Sequence, residues 1–344
     1  STNMRLPHTF RVAQSEIRFY ADANLKYLQR VMPGRRLILI TDQHVYESHQ
    51  PLFSKFDTIV LRSGEAYKIQ ATIDSLVERL IKLEADRKTV LVGVGGGVIT
   101  DLVGYLAGIY MRGLDFGLVP TTLLSMVDAS IGGKNGIDVG SFKNLVGTIR
   151  QPNFLLHDYR LLQTLPDREW SNGFAEIIKH AAIGDAKMFD ELMRMRIGDY
   201  RKKSTKLKAL VLRNVHYKFK VVGKDPHELG DRKLLNFGHT LGHGLEIQYE
   251  LSHGEAISLG MMFAARLSAH FLKFDKEADL KTVLDRYELP TAATFSVSKV
   301  LRSMRLDKKR NQDSIDFVLL ARIGKAMRKP ISLTLLEQLL RKHV

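Results

Sequence analysis

The hydrophobic period of this chain changes once, near residue 166, and that change restricts the fold more than any other feature. Before it, short apolar runs at 36–40, 58–61, 89–93, 116–120 and 154–157 are separated by helix-like stretches such as 68–83. Strands that alternate with amphipathic helices build βαβ units, whose parallel strands are apolar throughout because both faces are covered. After it, apolar residues recur at a period near 3.6 in 170–182, 209–222, 234–249, 256–271 and 333–342, which predicts a mainly helical second half. One hairpin is expected there, pairing 316–320 with 325–329 around Arg322 to Gly324. A chain of 344 residues exceeds the roughly 100–200 expected of one domain. Two domains are expected, an α/β domain at 1–165 with a mainly parallel sheet and an all-α domain at 166–344, with the boundary inside 164–168.

Composition removes several classes of function. No apolar run reaches the roughly 18–20 residues that span a bilayer, so no membrane partner is expected. No basic-then-apolar leader is read at the start, and there are no cysteines, hence no disulfide framework and no thiolate ligand; both fit a cytoplasmic protein. Lys and Arg exceed Asp and Glu by 52 to 37, a net charge of +15. The basic residues are scattered, and aromatics are 8% with no interleaved stacking pattern, so nucleic acid is not the expected partner. A summed positive field steers small anions instead, which points to an acidic, phosphorylated substrate.

Four segments carry chemistry. Residues 90–93 run into Gly95, Gly96 and Gly97 and then a helix from about 98 to 110, where bare backbone amides at a helix start suit a diphosphate, although Val98 stands where a dinucleotide fingerprint has its last Gly. Residues 119–136 bring Thr121, Thr122, Asp128 and the Gly132-Gly133-Lys134 run onto accessible backbone, with Lys143 and Asn144 soon after. Glu176, Lys179 and His180 share one helix face among apolar neighbours, so they are expected buried and either paired or ligating. His239 and His243 stand four apart on one helix, a spacing that lets two imidazoles chelate one ion. By spacing alone these two are the metal pair, but His243 could equally contact substrate or sit as a hydrogen-bonded core histidine, with His253, just after a Ser252 cap, completing the site.

Together these blocks resemble the 3-dehydroquinate synthase family of sugar phosphate cyclases. The residues that carry the resemblance are Gly64-Glu65 with Lys68, Gly95 through Asp101 to Gly104, Arg112-Gly113, Pro120-Thr-Thr-Leu-Leu124, Asp128-Ala-Ser-Ile-Gly-Gly-Lys134, Lys143-Asn144, Glu176-Ile-Ile-Lys179, Leu235-Asn236 through His239 to His243, and His253-Gly-Glu-Ala. The resemblance implies a Rossmann-like N-terminal domain that binds NAD and a helical C-terminal domain that binds zinc, for which cobalt could substitute. It implies that Glu176, His239 and His253 ligate the metal and that His243 contacts substrate or relays a proton, replacing the pair chosen by spacing. The NAD side would be Asp42, Glu65, Lys68, Gly95, Gly96, Gly97, Asp101, Thr121 and Thr122, with Asp128 and Lys143 near the nicotinamide.

In the same reading Lys134, Asn144, Lys179, Lys218, Arg232 and Asn236 hold the carboxylate, hydroxyls and phosphate of the substrate. Arg112 comes from a neighbouring subunit of a homodimer, and one of Lys308 and Lys309 closes over the substrate. The implied reaction turns 3-deoxy-D-arabino-heptulosonate 7-phosphate into 3-dehydroquinate and phosphate by transient oxidation, phosphate elimination, reduction, ring opening and aldol closure, the chemistry of a lyase. Asn135, His44 and Pro226 depart from the family's usual residues, and none is a proposed metal ligand. The rival readings are a sibling cyclase making an inosose or a valiolone, and a metal-dependent polyol dehydrogenase.

Overall fold

Val90, Leu91, Val92 and Val94 expose no surface at all, and a strand so covered needs a sheet neighbour on each edge and a layer over each face. A computed structural model supplies this arrangement and describes residues 5–307 and 313–343. The chain divides into two compact units, one of Ser1–Pro166 with Val211–His227, the other of Asp167–Leu210 with Glu228–Val344.

The first unit holds strands β1 (His8–Val12), β2 (Ser15–Tyr20), β3 (Leu37–Asp42), β4 (Asp57–Leu61), β5 (Val90–Gly95), β6 (Phe116–Pro120), β7 (Lys134–Val139), β8 (Phe142–Ile149) and β9 (Phe154–Leu156). Seven of them form one sheet in the order β1-β2-β9-β6-β5-β3-β4, parallel throughout except for the β1–β2 hairpin. The chain leaves β3 for β4 on one side and returns to β5 on the other. The order therefore reverses between β3 and β5, the point beyond whose carboxyl ends such sheets bind ligands, and Asp42 and Gly95 end these two strands.

Two strand pairs escaped the sequence reading. Residues 8–20 alternate Phe10, Val12, Ile17 and Phe19 with polar neighbours, the period of a half-exposed hairpin. Residues 134–149, which overlap the end of the binding stretch read at 119–136 and include Lys143 and Asn144, form a separate antiparallel ribbon, β7–β8, with a bulge between Ile137 and Val139. Its glycines mask the strand period, because Gly147 packs on the backbone of Asn135 and Gly136 at distances no side chain tolerates.

The second unit is helical, with Asp167–Gly184, His239–Gln248, His253–Leu272 and Val297–Asp307 among its helices. The expected hairpin is present as β10 (Ser314–Arg322) and β11 (Lys325–Ser332), with Asp316 facing Pro330 and Leu320 facing Ala326. A single cut at 165/166 does not describe the units, since the later part of helix Ser204–Lys224 belongs to the first of them. There Phe219 stacks on Phe10 of β1, ring centroids 4.1 Å apart.

The continuous helix expected over 234–249 is also broken. A 3-10 turn, Asp231–Asn236, ends before Gly238, which takes φ 77 and starts the helix at His239. Close crossing of helices His239–Gln248 and His253–Leu272 explains the break. A Cβ on Gly260 would meet the Gly238 carbonyl oxygen at 1.9 Å, and one on Gly238 would meet Met261 Cγ at 2.5 Å. Only glycine allows both the left-handed turn and this approach. Leu241, Leu245, Leu259, Phe263 and Leu267 pack with Val300, Leu301 and Met304 behind the crossing.

Candidate functional site

The helix crossing brings together three groups that lie far apart in sequence. Glu176, fully buried in helix Asp167–Gly184, places Oε1 3.1 Å from His239 Nε2 and 2.7 Å from His253 Nε2. The donor atoms of all three lie within 4.8 Å of one another. His253 opens its helix under a reciprocal cap, in which Ser252 accepts from the Glu255 amide and Glu255 accepts from the Ser252 amide. That cap fixes the backbone that carries the imidazole.

The proton inventory suits a cation at this point. The Phe237 carbonyl accepts a hydrogen bond of 3.0 Å at His239 Nδ1, which leaves a lone pair on Nε2 of the neutral ring. Burial pushes His239 below the ordinary imidazole value, outweighing the pull of Glu176, and so favours the neutral ring. Nε2 and Glu176 Oε1 are then two acceptors face to face, an arrangement that requires a proton or a metal between them. Two imidazoles and one carboxylate are the donor set of an open catalytic zinc-type site.

Charge around the cluster is arranged for the same purpose. Burial would raise the Glu176 carboxyl, but Lys179, whose Nζ is 2.6 Å from Oε2, and the two histidines hold it well below the usual carboxylate range. His253 is pushed up to about 10, because hydrogen bonding and attraction from Glu176 and Glu246 overcome its burial. Glu246 Oε2 stands 3.7 Å from His253 Nδ1, on the side of the ring away from Glu176. The sequence reading missed Glu246, although its position seven residues after His239 on the same helix was a usable signal. His243, half-buried, meets the His239 ring edge to face at 5.5 Å and is not among the three clustered ligands. Arg232 is 3% exposed on the 3-10 turn that also carries Asn236.

The nucleotide-type residues belong to the first unit. Asp42 ends β3 and caps helix Gln43–His49 by accepting from the Val45 amide at 2.9 Å. Gly95 closes β5, Gly96 is the cap of helix Gly97–Ile109, and no side chain caps that helix start. A Cβ on Gly95 would strike Ile99 at 2.6 Å, so the turn is as tight as backbone permits. Thr121 donates its amide to the Gly95 carbonyl, and Thr122 Oγ1 accepts from Ser125. Lys68, 4% exposed, bridges Asp101 at 2.6 Å and Asn144 at 2.5 Å. Lys218 donates to Asp128 Oδ1 at 2.5 Å and to its carbonyl at 2.6 Å. Lys134 and Arg112 are exposed, and Lys308 and Lys309 lie outside the described residues.

The fold is that of a sugar phosphate cyclase. A crystal structure of 2-deoxy-scyllo-inosose synthase complexed with carbaglucose-6-phosphate, NAD+ and Co2+ superposes with a TM-score of 0.87 at 25% identity, covering 98% of this chain and 100% of that one. Family models narrow the class: the 3-dehydroquinate synthase N-terminal model matches residues 58–172 and the C-terminal model residues 173–310. The 3-dehydroquinate synthase of Shouchella clausii is 37% identical over 93% of this chain and 92% of its own length. That of Methylacidiphilum infernorum is 44% identical over 77% and 74%. The chain belongs to the 3-dehydroquinate synthase family.

Proposed function

We propose that this chain converts 3-deoxy-D-arabino-heptulosonate 7-phosphate to 3-dehydroquinate and inorganic phosphate, as a lyase that uses NAD catalytically and one zinc or cobalt ion. The observation that carries the reading is the Glu176, His239 and His253 cluster, in which two acceptors face each other beside a buried lysine. The inosose synthase of the same fold was captured with NAD+, Co2+ and a sugar phosphate analogue, and those ligand classes are carried over here. When bound, the metal and nucleotide supply Lewis acidity and a hydride acceptor that is regenerated within the turnover.

The chain's own residues do the rest. Glu176, His239 and His253 hold the metal, and Lys179 keeps Glu176 ionised for that role. Asp42, Glu65, Lys68, Gly95, Gly96, Gly97, Asp101, Thr121 and Thr122 bind the nucleotide, with Asp128 and Lys143 toward its reactive ring. Lys134, Asn144, Lys179, Lys218, Arg232 and Asn236 bind the substrate's carboxylate, hydroxyls and phosphate, and the positive charge of the three lysines and Arg232 stabilises the enolate that precedes phosphate loss. His243 contacts substrate and relays a proton.

We further propose a homodimer in which Arg112 serves the neighbouring subunit. Met111, Arg112 and Gly113 all take positive φ, a strained run of the kind kept where a side chain must be aimed. The ribbon β7–β8 leaves Val139, Phe142, Leu145, Val146 and Ile149 exposed on its two sides, apolar surface suited to a second copy. No helix of the described residues is long and apolar enough to cross a membrane; the absence of cysteine fits the cytoplasm, where we place the enzyme.

The test is a substrate panel scored by product identity. Phosphate release from the heptulosonate with substoichiometric NAD, abolished by a chelator and by His239→Ala, is expected. An inosose or valiolone product would move the assignment to a sibling cyclase, whereas net NADH from a simple polyol without phosphate release would make the chain a dehydrogenase.

A further inference from the structure

Asp138 of β7 is 6% exposed and ties together two separate stretches of the first unit. It stands opposite the bulge of the ribbon, where the three β8 residues Lys143, Asn144 and Leu145 face the one residue between Ile137 and Val139, and the extra residues of a bulge bend the strand that carries them. Its amide donates to the Lys68 carbonyl at 2.8 Å, and its Oδ1 accepts from the Asn144 amide at 2.8 Å. Oδ2 lies 3.5 Å from Lys143 Nζ, which in turn is 3.6 Å from Glu65 Oε1. Asn144 is held at φ 53, a left-handed conformation that costs energy and persists only when neighbours over-determine it. Its Oδ1 accepts from Lys68, which also bridges Asp101. Glu65, Lys143, Asn144 and Lys68 thus surround one buried carboxylate, that of Asp138.

We propose that Asp138 is a positioning residue of the reaction, setting the Glu65–Lys68 turn against Lys143 and Asn144 before nucleotide or substrate arrives. The inference rests on the proposed function for the roles of those four residues, while the clamp is a property of the ligand-free protein. The charges facing it are Glu65, Lys68 and Lys143, with Asp101 reached through Lys68. Partial burial and the hydrogen bond with Asp138 push Glu65 up to about 7, while the same bond and the Asn144 amide hold Asp138 low against its own burial.

Two variants test this. Asp138→Ala removes the acceptor for the Asn144 amide, so hydrogen exchange of that amide in ligand-free protein should accelerate at least about tenfold, and kcat/KM should fall by about 10–100-fold. Asp138→Asn keeps that acceptor and should recover kcat/KM to within about threefold of wild type. Its amide, however, donates to Glu65 and favours the carboxylate, so any step in NAD affinity near pH 7 should move down by about one unit or more. Wild-type exchange and kcat/KM in Asp138→Ala would overturn the proposal. If Asp138→Ala does not fold, an unshifted pH profile of NAD affinity in Asp138→Asn overturns it. Failure of the functional reading is seen separately, as wild-type protein that does not turn over the heptulosonate, because the exchange measurement needs neither turnover nor ligand.

Discussion

Replacing Glu176 by Gln keeps the shape of the side chain and removes one charge from a place where water cannot compensate. Lys179 Nζ lies 2.6 Å from the carboxylate, with side-chain exposures of 2% and 0% for the two partners. At that distance the attraction is about 6 kcal/mol for an effective dielectric of about 20, but both ions were desolvated to reach the core. The net cost of deleting one partner of such a pair is about 3–5 kcal/mol. For a unit of this size each kcal/mol is worth roughly 2–4 °C, so metal-free Glu176→Gln should melt about 10 °C below wild type at pH 7. The folded pKa of Glu176 is depressed from its ordinary 4.5. Its contribution is therefore fully present above that value, and the deficit should fade only as pH falls through the lowered folded pKa. Scanning calorimetry in chelator measures the melt, and competition with a metal indicator measures affinity, which should drop by more than about a hundredfold. The double variant Glu176→Gln/Lys179→Met removes the stranded ammonium and should melt above the single one. A single variant that melts within about 1 °C of wild type and binds metal normally would refute the reasoning.

Three other outcomes follow from the same geometry. With its folded pKa raised to about 10, His253 lends the metal-free protein stability that is complete below about 6.5 and lost as pH rises through about 10; ligation at pH 8 should thus expel about one proton, and buffer-independent binding heats would argue against it. Gly260→Ala places a methyl 1.9 Å from the Gly238 carbonyl and should cost about 3 kcal/mol or more while weakening metal binding; a wild-type melt would mean the helices do not cross so closely. Arg112→Ala should be inactive alone but regain activity when refolded with inactive Lys179→Ala, because a mixed dimer carries one intact site; no recovery despite dimer formation would place Arg112 in its own subunit's site.

Legibility in the sequence tracked the range of the interactions involved. Apolar runs such as 89–93 declare buried parallel strands because burial on both faces leaves no polar position, and these were readable from residues alone. The ribbon at 134–149 was not, since exposed apolar residues stand on both of its sides, Val146 on one and Ile149 on the other, and Gly136 and Gly147 meet at backbone-to-backbone contact. Asp138 gave no signal at all, because the Lys68 carbonyl, Asn144 amide and Lys143 ammonium around it are brought together only by the fold. The break at Gly238 was equally hidden, as a left-handed glycine inside a 3.6-period stretch differs from a tolerated helical glycine only through what packs against it.

The sequence by itself determined the order of the blocks, the change of period near residue 166, the family, and the presence of enough imidazole and carboxylate for a metal centre. Spacing alone left open which histidines cluster with Glu176, because a separation of four puts His239 and His243 on one face without saying where either ring points, and only the family resemblance named His239 with His253. Tertiary structure decided that. The glycine crossing brings the start of helix His253–Leu272 to Glu176, and the Phe237 carbonyl turns His239 Nε2 the same way. Direction at a helix start is set by the backbone that precedes it and by the neighbour it touches, and neither is written in the spacing of residues along one helix.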